Sequence, residues 1–113
     1  MAKQTKSQSA ASLCASRRKR TYRRLCKESK ATAFVVTRRA DLRYLTGFAG
    51  EGLVLLAPGV DLLVPYWFFG EQAAQECSGQ PGLVVDEQAR NHFELIAKHL
   101  RGKAVRALGV QAD

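Results

Sequence analysis

The chain has 113 residues, 46% of them hydrophobic and 25% charged, which suits one small folded domain and excludes a wholly disordered chain, a collagen-like repeat or a coiled coil. Its net charge is +8, yet ten Lys or Arg and a single acid, Glu28, fall within residues 1–30 (+9), leaving −1 for residues 31–113. The basicity belongs to a segment, so a nucleic-acid reading built on the overall charge has to rest on that segment alone.

Residues 1–16 are mostly Lys, Gln, Ser, Thr and Ala, with too little apolar surface to offset ordering entropy, and read as a disordered basic leader. They lack the apolar core of a secretory signal and resemble a transit peptide in composition only. Residues 17–113 read as the folded domain. Tyr22, Leu25, Cys26 and Ser29 place a narrow apolar stripe on an Arg- and Lys-rich helix over 17–30; it reads as a surface helix laid against a sheet with solvated arginines, or more sharply as a helix that grips phosphate.

Ala33 to Thr37 reads as a buried strand, followed by a polar turn over Arg38–Asp41 and a second extended run, Leu42–Phe48, bent at Gly47. Gly52–Ala57 and Leu62–Val64 form an antiparallel hairpin around Pro58-Gly59. Pro65 ends it, and Glu71–Cys77 forms a helix with Phe69, Ala73 and Cys77 spaced by four on one face. Leu83–Val85 is a fourth strand, and Asp86 caps a helix whose apolar face carries Ala89, Phe93, Ile96, Ala97 and Leu100, stopped by Gly102. A fifth strand begins at Val105. The fold class is α/β, a mixed sheet flanked by helices.

Chemistry-bearing patterns are scarce. His92 and His99 lie seven apart on a predicted helix, roughly 10 Å along its axis, with no Cys or acid at chelating spacing. No nucleophile elbow, G-x-G-x-x-G or P-loop is present. On its own residues the chain offers neither catalytic nor metal-binding candidates. Cys14, Cys26 and Cys77 are too few and too far apart for a disulfide framework, and the odd count points to reduced thiols in a cytoplasmic setting. No stretch approaches the roughly 18–20 apolar residues of a membrane span. Tyr66-Trp67-Phe68-Phe69 stands out: four consecutive rings cannot all enter one core. At least one of them belongs at the surface, as a protein or substrate-edge contact, as scattered exposure, or as a base-stacking platform.

The segment Leu42-Arg43-Tyr44-Leu45-Thr46-Gly47-Phe48-Ala49-Gly50 resembles the N-x-R-Y-L-T-G-F-x-G signature of the N-terminal domain of the creatinase, prolidase and aminopeptidase P metallopeptidases. Gly70-Glu71-Gln72-Ala73 is similar to that family's T-E-Q-A, and the closing Ala107-Leu108-Gly109-Val110-Gln111-Ala112-Asp113 to its L-G-F-E-A-D strand. Arg23-Arg24-Leu25 fits its R-x-x-R-L opening. The resemblance implies a ribonuclease H-like fold, truncated at its C-terminus because the chain stops before the family's next helix.

It also implies that hydrolysis of Xaa-Pro peptides, with two divalent metals such as manganese held by Asp, His and Glu, belongs to a second domain beyond Asp113. The domain itself would be non-catalytic. It would build a homodimer and shape the partner's active-site entrance, where a proline-containing peptide binds. Where the family often carries D-G-R-Y, this chain has Tyr66–Phe69, so a polar acid and arginine there are replaced by rings. The alternative reading is a stand-alone binding module whose basic N-terminal segment holds an acidic partner or nucleic acid.

Overall fold

The computed structural model describes residues 2–77, 79–87, 92–100 and 108–111. A first helix, α1 (Ala2–Glu28), leads into strand β1 (Ala33–Val36), helix α2 (Arg39–Thr46), strands β2 (Gly52–Ala57) and β3 (Val60–Pro65), a single 3-10 turn (Trp67–Phe69), helix α3 (Gly70–Cys77), strand β4 (Leu83–Val85), helix α4 (His92–Leu100) and strand β5 (Leu108–Gln111).

The five strands form one sheet in the order β4-β3-β2-β1-β5. The central three are antiparallel, with Val36 opposite Val54 and Ala57 opposite Val60 at the hairpin end. Both outer strands are parallel to their neighbours, β4 to β3 and β5 to β1. This is the mixed sheet flanked by helices that the alternation of elements predicts. The apolar runs of β1, β2 and β3 are buried on both faces because helices cover both. Ala33, Val35, Leu53, Leu55, Leu62 and Val64 point to the α4 side, where Ile96 closes the cluster. Val36, Val54, Leu56 and Leu63 point the other way, against Leu42, Leu45 and Phe48 from the α2 region and Ala73 and Cys77 from α3. The strict period of two along each strand sorts the side chains between the two cores.

Several expectations need correction. The helix does not begin at Arg17: residues 2–16, read as a disordered leader, are helical from Ala2 onward, continuous with the basic segment, and Cys14 within them is buried. Ala, Gln, Lys and Leu are good helix formers, and once the Cys14 end docks, extension adds one hydrogen bond per residue without a new nucleus. Ser29 is not on the helix's stripe; it is exposed beyond Glu28, with its N–H donating to Leu25 O and its Oγ accepting from Ala31 N, which turns the chain into β1.

The larger correction concerns 39–46, read as a turn and an extended run but folded as α2. Leu42, Leu45 and Thr46, at i, i+3 and i+4, form its buried face, a helical spacing that the β-forming residues nearby concealed. Gly47 ends it in the left-handed conformation (φ 78°), its N–H donating to Arg43 O at 2.8 Å, so the glycine is a helix stop rather than a bend in a strand.

At the far end, Ile96 and Leu100 meet the sheet as predicted, but Ala97 is exposed, because a helix face centred on 96 and 100 leaves 97 at its rim. Asp86 donates its N–H to Leu63 O at 3.0 Å, prolonging the β3–β4 ladder. The expected positions of Ala89, Gly102 and Val105 lie outside the described residues.

Candidate functional site

The two segments singled out by sequence, Arg43–Phe48 and Tyr66–Phe69, come together on the α2 and α3 side of the sheet. Phe48 is fully buried and meets Phe69 edge to face, with ring centroids 6.3 Å apart and planes at 81°. Gly50 sits between them. A Cβ there would lie 2.5 Å from Phe48 Cζ and 2.6 Å from Phe69 Cδ1, so only glycine admits this ring pair.

Within the signature, Leu45, Thr46 and Phe48 are buried while Arg43 and Tyr44 are exposed. Thr46 makes the connections of a joint. Its Oγ1 donates to Leu42 O at 2.7 Å and accepts from Phe48 N at 3.1 Å, while its carbonyl accepts from Gln80 Nε2 and from Cys77 Sγ. Burial pushes the Cys77 thiol up to about 11, against a smaller opposing effect of its bond to Thr46, so it stays protonated and unreactive at neutral pH.

The aromatic run divides as the geometry of four consecutive residues demands. The 3-10 turn, closed by Phe69 N donating to Tyr66 O at 2.7 Å, sends Phe69 inward and leaves Phe68 74% exposed and Tyr66 at the surface. Tyr66 is tethered through its N–H to Glu51 O. Phe68 is the most exposed large apolar side chain among the described residues.

Sequence reading missed the best-connected side chain of this region. Arg18, taken with its neighbours as solvated, is 1% exposed. Its Nε donates to Asp61 Oδ2 at 2.9 Å, Nη1 to Leu45 O at 3.0 Å and Gln80 Oε1 at 2.9 Å, and Nη2 to Pro81 O at 2.8 Å. One guanidinium thus joins α1, the signature helix α2, the start of β3 and the loop before β4. The signal was present: Cys14, Arg18, Tyr22 and Cys26 repeat every four residues, continuing the stripe backward through a charged position. Tyr22 packs edge to face on Phe34 and donates its hydroxyl to Thr32 O at 2.7 Å. Burial, reinforced by its neighbour Cys26, pushes this phenol up to about 12.

Among the described residues no three His, Cys, Asp or Glu are grouped to hold a metal ion. The divalent metals implied by resemblance therefore find no donor set there. No helix among them is long and apolar enough to cross a membrane.

A search of curated proteins finds no match. Solved structures do match. An Xaa-Pro aminopeptidase from Streptococcus pyogenes superposes with a TM-score of 0.71 at 22% identity, over 90% of this chain and 78% of that one. The N-terminal domain of the cytoplasmic peptidase PepQ from Mycobacterium tuberculosis gives 0.66 at 23%, over 85% and 72%. An X-Pro aminopeptidase from Thermotoga maritima gives 0.65 at 21%, over 83% of this chain but only 26% of that one. At these identities the likeness establishes the fold. The Creatinase/Prolidase N-terminal domain profile matches residues 17–113, from the buried Arg18 through the signature helix to the last strand, and the chain belongs to that family.

Proposed function

We propose that this domain is the non-catalytic N-terminal part of an Xaa-Pro aminopeptidase- or prolidase-like metallopeptidase of the cytoplasm, and that it pairs with a second copy and shapes the entrance to a partner's active site. The family match across 17–113 carries the reading. On this reading, the chemistry of peptide hydrolysis, its metals included, would belong to a catalytic domain distinct from this one, as the match to an N-terminal domain family suggests.

The contact falls to Phe68 and Tyr66. An aromatic ring three-quarters in water, held on a rigid turn, is a ready anchor for an interface, because a rigid ring loses little entropy on burial. Where the family often carries an acid and an arginine, rings favour an apolar contact over an ionic one.

Sedimentation velocity on the purified chain tests this. The expected result is a species of twice the 12.5 kDa chain mass, little changed between about 50 and 200 mM salt because an apolar contact is not screened. Phe68→Ser with Tyr66→Ser should return it to monomer. A wild-type monomer at about 100 μM, a concentration at which even weak specific pairs form, refutes the pairing, as does a dimer that the double variant leaves intact.

A further inference from the structure

Helix α1 and the signature helix α2 enclose an open cleft of about 460 Å³, lined by Arg20, Thr21, Arg24, Asp41 and Tyr44. Its rim is fixed by Arg17, whose guanidinium lies 4.4 Å over the Tyr44 ring and whose Nη1 donates to Tyr44 O at 3.3 Å. Arg20 and Arg24 stand one helical turn apart, about 6 Å along the axis, both exposed. Neither pairs with an acid among the described residues. The one carboxylate on the walls, Asp41, is 32% exposed, and its buried Oδ2 lies 3.9 Å from Arg38 Nε without accepting a hydrogen bond.

We propose that this cleft binds an acidic peptide segment of a partner protein. The face is distinct from the Phe68 surface, and the proposal does not depend on the peptidase reading. Two arginines one turn apart on a rigid helix present planar forks to successive carboxylates, a geometry that guanidinium groups match in a bidentate way.

The volume exceeds what a single inorganic ion needs and falls in the range of clefts that hold several ligand groups. Asp41 decides between polyanions. A phosphodiester backbone brings only acceptors and negative charge toward that carboxylate and is repelled. An extended peptide brings backbone N–H donors that a carboxylate accepts, alongside the acidic side chains that the arginines require. Tyr44, already stacked on Arg17, supplies an exposed ring edge for the peptide's apolar atoms.

The experiment is fluorescence polarisation on the full chain with a labelled ten-residue Glu-rich peptide, compared with a single-stranded oligonucleotide of equal net charge, at about 50 and 200 mM salt. The peptide should saturate and bind several-fold tighter than the oligonucleotide. Arg20→Glu with Arg24→Glu should weaken it about tenfold, the effect of turning two exposed attractions into repulsions. Reversing Lys27 and Lys30, equally exposed but outside the cleft, should change it by less than about threefold, by long-range charge alone. Asp41→Asn should narrow the gap by strengthening the oligonucleotide more than the peptide. Unchanged circular dichroism shows that the variants fold. Equal or tighter oligonucleotide binding in the wild type overturns the proposal in favour of a phosphate-binding surface. Absence of saturable peptide binding at about 50 mM salt, or equal losses from the Arg and Lys reversals, overturns it outright.

Discussion

Replacing Arg18 with Met should destabilise the domain by about 3–5 kcal/mol. The methionine keeps an unbranched stem of similar reach, so packing along the helix is largely retained and the loss is polar. Leu45 O, reached by a buried hydrogen bond, is left facing apolar side chains without a donor, at about 1–3 kcal/mol. Gln80 Oε1 and Pro81 O lose partly buried bonds but can recruit water, at about 0.5–1.5 kcal/mol each. Asp61, with its side chain 26% exposed, rehydrates most easily and adds least. Against a typical total stability of about 5–15 kcal/mol, the variant should be marginal or unfolded at 37 °C.

Arg18→Lys keeps the charge but replaces a planar fork by one ammonium that cannot reach four acceptors on three sides, and should lose about half as much. Asp61→Asn removes only the charge of a partly solvated partner and should cost about 1 kcal/mol or less. Urea denaturation followed by far-UV circular dichroism orders the three. If Arg18→Met costs under about 1 kcal/mol, or Asp61→Asn costs as much as Arg18→Met, then the carbonyl bonds of Arg18 are not what stabilises this junction.

Gly47→Ala should cost about 1 kcal/mol in the same assay: the left-handed φ of 78° strains any side chain, although the space around it is open, with only Gln80 Nε2 within 4.0 Å. Tyr22→Phe should cost about 1 kcal/mol at neutral pH through loss of the bond to Thr32 O. The same variant should change the alkaline limb. With the phenol held up to about 12 in the fold against an ordinary 10.0, its protonated form contributes stability that is complete below pH 10 and lost as pH rises through 12. Wild type should therefore lose stability faster than Tyr22→Phe across that window in pH-stepped urea melts. Parallel curves would show that the phenol ionises as freely in the fold as outside it.

The central sheet was legible because its strands are short, β-branched or Leu-rich runs bounded by Gly and Pro, and the hairpin because Pro58-Gly59 admits little else. The signature helix was misread for an instructive reason. Tyr44, Thr46 and Phe48 favour strands locally, and eight residues are too few for intrinsic propensity to outweigh that. What selects the helix is tertiary: Leu42 and Leu45 fit the groove beside β2, and Thr46 is bonded by residues 31 to 34 positions away. Counting rings required at least one of Tyr66–Phe69 at the surface without saying which; the 3-10 turn selects Phe68 for exposure and sends Phe69 toward Phe48. The burial of Arg18 was only half legible: the Cys14, Arg18, Tyr22, Cys26 repeat puts it on the inward stripe, but a basic residue among nine others reads as solvated until its acceptors, 27 to 63 positions later in the chain, converge on it.

The placing of β5 beside β1 has a kinetic consequence. Ala33 pairs with Leu108, 75 positions later in the chain, whereas β2 and β3 meet across a two-residue turn between Ala57 and Val60. The hairpin and β1 can assemble from local contacts, while the outer edge of β1 stays open until the last strand arrives across a long and entropically costly loop. During synthesis at about 5–20 residues per second, that interval is roughly 4–15 s. Through it, the unpaired N–H and C=O groups that every second residue of β1 turns toward that edge offer a template to any passing strand. The chain's vulnerability to wrong pairing is thus concentrated at a strand that becomes one of the most buried in the finished fold.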